Sequence, residues 1–128
     1  MTTATRTITG RAASYGETVI RQLGDLGREL GTQIDKLAEL EEIAVDAEGD
    51  FRREFAISYR NATGTLEDRK QWATFDNDAL WRTWGKAAAA VRRQRESLKA
   101  LYGRIDIGRT MASREKALAA LAGRDDAT

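Results

Sequence analysis

Residues Leu80 to Ala112 read LWRTWGKAAAAVRRQRESLKALYGRIDIGRTMA and keep a seven-residue register throughout. One column is Trp84, Val91, Leu98, Ile105 and Ala112; the other is Leu80, Ala87, Gln94, Leu101 and Gly108. Alternating steps of four and three predict a helix packed along its length against another helix. From Leu80 to Lys116 there are ten bases against three acids, a net of +7. One helix therefore carries both a seam and a basic outer surface. The large apolar groups Trp72, Phe75, Trp81 and Ile107 fall off the seam.

Outward from that stretch, the N-terminal half supplies the partner. Its stripe is Leu23, Leu26, Leu30, Ile34, Leu37, Leu40, Ala44, Ala47, Phe51, Phe55, Tyr59 and Ala62, with every step three or four residues. The spacing predicts one continuous helix. Gly24, Gly27, Gly31 and Gly49 oppose it, each costing about 1 kcal/mol against Ala in a helix interior. The first three share a face, which reads either as a close helix contact or bend, or as a tolerated weak segment. Gly64 suits the left-handed residue that closes a helix, and Thr65, followed by Glu67 and Asp68, suits the cap of the next.

The expected architecture is all-α: an elongated antiparallel hairpin with a coiled-coil-like seam. Residues 1–14 form a flexible lead, since they show no period. A first helix spans 15–62, opened by Ser14 and Glu17 as a capping box. A turn occupies 63–65, a second helix 66–122, and a polar tail 123–128. Asp76-Asn77-Asp78 favours a cap or kink within the second helix. Helices of this length span on the order of 70 Å. A two-helix seam is thin for a monomer, so a homo-oligomer is expected, with Trp72, Phe75, Trp81 and Ile107 at the interface with a copy or a partner.

Composition narrows the chemistry. The chain has no Pro, which suits long helices, and neither Cys nor His. That removes disulfides, thiolate metal sites, the commonest general base and the thiol nucleophile. No catalytic, cofactor-binding or metal-binding residue can be named, and no enzyme activity or cofactor is expected. Asp76 and Asp78 are a conceivable carboxylate pair, but capping explains them more simply. No signal-peptide core and no run of about 18 apolar residues is present, so a cytoplasmic protein without membrane contact is expected.

The net charge of +1 hides an asymmetry, with residues 1–62 at −3 and residues 63–128 at +4. The acidic stretch from Asp35 to Glu54 holds eight acids and three bases. A fold-back at Gly64 sets it against Arg82, Lys86, Arg92 and Arg93. Farther along, Arg95, Lys99, Arg104, Arg109, Arg114 and Lys116 face a nearly charge-balanced segment. Such a surface reads either as a solvated face or as an anion site. With Tyr102 among the bases, the site residues for single-stranded nucleic acid are Arg95, Lys99, Tyr102, Arg104, Arg109 and Arg114. Trp84 lies on the seam and reads as core.

Two segments also resemble known proteins. Gly64, Thr65, Glu67, Arg69 and Lys70 match a G-[ST]-x-E-x-R-K turn, and Arg104 to Arg109 match R-I-D-[IV]-G-R. Both motifs resemble those of small helical proteins encoded by phages and prophages of Gram-positive bacteria. The layout of helical arm, polar turn and aromatic-bearing second helix is similar to the UvsY-type recombination mediators of T-even phages. That resemblance implies a ring assembly, single-stranded DNA binding, and a recombinase or single-strand-binding protein as partner. It implies a role in phage recombination or replication within the bacterial host cell. The alternative is a structural or adaptor coiled coil, such as an assembly chaperone or an inhibitor of a host protein, without nucleic-acid contact.

Overall fold

The computed structural model describes the backbone of residues 2–126 and the side chains of residues 16–123. The fold is all-α. Among the described residues it has three helices: α1 (Thr2–Asn61), α2 (Leu66–Asp76) and α3 (Asp78–Asp126). Helix α1 begins at Thr2, so Ser14 lies inside it instead of capping it, and residues 2–14 are helical where a flexible lead was expected. No proline interrupts the N-terminal segment, so nothing in the backbone forces a later start. Helix α3 runs on through the expected tail to Asp126.

Residues 62–65 link α1 to α2. Gly64 has φ +106°, the left-handed conformation that L side chains rarely adopt. Thr65 then caps α2 reciprocally. Its hydroxyl accepts from the Asp68 N–H at 3.1 Å, and its own N–H donates to Asp68 Oδ2 at 3.2 Å. Two orphan donors of the helix start are thereby satisfied. The expected second helix is divided at Asn77, the C-cap of α2.

The chain forms two compact units, Met1–Thr32 with Leu98–Thr128, and Gln33–Ser97. In the first unit the buried apolar side chains among the described residues are Val19, Leu98, Leu101 and Ile105, with Leu101 wholly enclosed. Leu23, Leu26, Leu30, Gly108 and Ala112 are half-buried beside them. Gly108 sits so near Leu23 that a Cβ there would fall 2.7 Å from Leu23 Cδ2.

In the second unit the contacts pair Ser58 with Asp76, Phe51 with Trp84 and Glu41 with Arg95. Trp84 is thus packed against the Phe51 ring, at 5.6 Å between centroids. Ala47, Ala73 and Val91 are buried. Two seam positions are polar and still buried: Asn77 is 5% exposed and Gln94 7%. The Asn77 amide donates to Ala73 O at 2.8 Å and Ser58 Oγ at 3.0 Å, and Ser58 donates to Asp76 Oδ2. The Gln94 amide donates to Gln33 O at 3.1 Å and Gln33 Oε1 at 3.3 Å. Buried amides need partners, so α1 presents polar residues at those layers.

That requirement corrects the α1 stripe. Gln33 is half-buried where Ile34 was expected, and Ile34 is 44% exposed. Toward the end of α1, Ala47 is buried and the expected Phe51, Phe55, Tyr59 and Ala62 are half-buried, joined by the polar Glu54 and Ser58. Leu66, the first residue of α2, lies beyond the end of α1 and is 72% exposed.

Candidate nucleic-acid interface

In the first unit, α3 carries three faces. Leu98, Leu101, Ile105 and Gly108 pack against α1. Steps of three, four and seven place Lys99, Tyr102, Asp106, Arg109 and Lys116 on a second face. The third face holds Arg104, Ile107, Met111, Arg114, Leu118 and Leu121. Of the expected site residues in this unit, Lys99, Tyr102 and Arg109 are therefore brought together, whereas Arg104 and Arg114 lie on a different face. Lys116 joins the first group. It belonged to the basic run in the sequence, and only the helical faces separate it from Arg114.

The pairing state of these side chains differs as well. Arg104 lies 3.8 Å from Glu29 of α1. Lys99, Arg109, Lys116 and also Arg114 have no ion pair among the described residues, and Tyr102 is exposed. The Arg104–Glu29 contact fixes which flank of α1 adjoins which flank of α3. On the opposite flank, next to the Tyr102 side, α1 presents Ile20, Gly24, Gly27 and Gly31. That run contains no acid; Glu17 lies one turn before it and Asp106 is the acid of the α3 face. A Cβ added at Gly27 or Gly31 would meet nothing within 4 Å, so nothing inside the unit requires these glycines.

In the second unit the expected charge layout is corrected at Arg95. Arg95 was expected to face a nearly neutral segment, yet it donates to Glu41 Oε1 at 3.1 Å, inside the acidic stretch. Arg82 pairs with Asp78 of its own helix at 2.9 Å. Lys86, Arg92 and Arg93 have no ion pair among the described residues. The fold-back centred on Gly64 is the source of the error: the 62–65 link and α2 take up chain before α3 begins, so Ser58 meets Asp76 and not residue 70.

The aromatic residues Trp72, Phe75 and Trp81 are exposed in the second unit, with Trp72 and Phe75 ring centroids 6.2 Å apart. Ile107 is exposed in the first. A separate depression of about 570 Å³ in the second unit is lined by Phe55, Ala56, Tyr59, Arg60 and Arg69. Sequence reasoning missed it because Phe55 and Tyr59 had been placed on the seam, and Arg69 within a turn motif.

Among the described residues, no group of three or more acids is arranged to hold a metal ion, and no helix is long and apolar enough to cross a membrane. Asp76 accepts from Ser58 and Asp78 pairs with Arg82, so each of these carboxylates has a structural partner. No family model, curated protein or solved structure matches this chain.

Proposed function

We propose that this protein is a helical accessory factor that binds single-stranded DNA and has no chemistry of its own. In this reading α1 and α3 form an antiparallel hairpin with a coiled-coil-like seam, and copies associate through the exposed Trp72, Phe75, Trp81 and Ile107. The protein serves phage recombination or replication as a mediator that holds a DNA strand together with a recombinase or single-strand-binding protein. The observation that carries the reading is the α3 face on which Lys99, Arg109 and Lys116, free of ion pairs among the described residues, surround an exposed Tyr102. Cations aligned along a helix follow a phosphate chain, and an exposed ring offers a base a stacking surface. A single strand presents both, whereas a duplex hides its base faces.

The test is fluorescence anisotropy of a labelled single-stranded oligonucleotide. Lys99→Glu with Arg109→Glu weakens binding at least about tenfold, because each reversal replaces an attraction by a repulsion. Arg104→Glu, on another face, has a much smaller effect. Equal losses from both variants, or no binding by the unaltered protein at low salt, would overturn the reading.

A second reading is favoured by one observation, the exposure of Trp72, Phe75 and Trp81. Aromatic side chains left in water in this way are typical anchors of protein contacts. In this reading the protein is a structural or adaptor coiled coil, indifferent to Lys99 and Arg109 and sensitive to alanine at Trp72 and Phe75.

A further inference from the structure

We propose that the depression formed by Phe55, Tyr59, Arg60 and Arg69 is a nucleotide-binding site, separate from the α3 face, that takes one base and its phosphate from a single strand. The lining is the argument. Phe55 and Tyr59 are stacked, with centroids 6.5 Å apart and planes inclined by 18°. Beside these rings stand Arg60 and Arg69, and no acidic residue lines the depression. Neither arginine has an ion pair among the described residues. The Arg69 Nε is buried without a hydrogen-bond partner. A buried guanidinium donor calls for an acceptor, and its charge makes an anion the strongest one.

Two guanidiniums next to ring faces match one ligand chemistry well. The phosphate accepts from the planar forks of Arg60 and Arg69, and the base lies against Phe55 or Tyr59. An acidic peptide would satisfy the arginines and leave the rings unused. The inference extends the single-strand reading to a second contact, on the unit that holds α2. It also assigns a role to Arg69, which the turn motif contains and the cap of α2 does not use.

The experiment is photocrosslinking of the full chain to an oligothymidylate carrying 5-iodouracil, with the crosslinked peptides mapped by mass spectrometry. Crosslinks at Phe55 or Tyr59 are expected. They fall at least about fivefold in Arg69→Ala, measured relative to the crosslinks at Tyr102 in the same sample. Circular dichroism checks that Arg69→Ala keeps its helicity. Arg60→Ala provides a second variant outside the capping segment and is expected to lower the yield in the same direction. Excess polyglutamate should compete far less well than excess unlabelled oligothymidylate. Crosslinks confined to Tyr102 would overturn this site and leave the α3 reading standing. Equal competition by polyglutamate would overturn base stacking here. An absence of crosslinks anywhere, with no anisotropy change, would overturn both.

Discussion

Gly27 and Gly31 pose the sharpest question at the level of single residues. Each sits in the interior of α1, where glycine costs about 1 kcal/mol against alanine. A methyl group at either position would meet nothing within 4 Å. Gly27→Ala and Gly31→Ala should therefore each stabilise the protein by about 1 kcal/mol in urea unfolding. If a nucleic-acid strand lies along the Tyr102 side, the same substitutions weaken oligonucleotide binding while raising stability. Gly64 behaves in the opposite way. Its φ is +106°, and a Cβ there would lie 2.9 Å from Asp68 Oδ2, the atom that closes the capping box. Gly64→Ala should cost on the order of 1–2 kcal/mol, read from the shift of the urea midpoint. Gly27 and Gly31 were among four glycines suspect in the sequence, and Gly64 was assigned a turn. Only the open or occupied space around each shows which way a substitution goes.

The helices themselves were largely legible as elements. A 3.5-residue apolar period and the absence of proline announce long helices, and Thr65 with its acids announces the start of α2. The facing pattern was less legible. An apolar stripe chooses Ile34 over Gln33, because transfer free energy alone favours the isoleucine. The helix instead turns Gln33 toward Gln94, since a buried amide without a partner costs about 1–3 kcal/mol. The same logic sets Ser58 against Asn77. Polar layers of this kind fix the register between helices and lower stability relative to an all-apolar seam. Leu101 is the strongest apolar anchor of α3, being wholly enclosed. Leu101→Ala should cost about 2–5 kcal/mol in urea unfolding, whereas Leu66→Ala, at an exposed position, should change little.

At the scale of the whole molecule, composition and periodicity lead to an all-α protein and no further. Charge proved misleading because it was counted along the chain. Ten bases between Leu80 and Lys116 look like one surface, yet Arg82, Arg95 and Arg104 are engaged with Asp78, Glu41 and Glu29. Among the described residues the unpaired set is smaller: in the first unit it is Lys99, Arg109 and Lys116 on the Tyr102 face, and Arg114 on another. Which bases remain free depends on the partner helix, and a linear sequence does not display that. The exposed aromatics carry their own expectation. If Trp72, Phe75 and Trp81 mediate self-association, Trp72→Ala with Phe75→Ala should lower the weight-average mass in sedimentation equilibrium without loss of helicity. An unchanged mass would remove those side chains from the interface.

The most direct measurement is the salt dependence of oligonucleotide binding, followed by anisotropy across a series of salt concentrations. For a single strand, log K falls with log salt by about 0.7 for each phosphate neutralised. Replacing Lys99 and Arg109 together by Gln should reduce the steepness of that fall by about 1.4. A slope unchanged by the double replacement, or no binding by the unaltered protein at the lowest salt, would contradict the assignment of the α3 face to a phosphate chain.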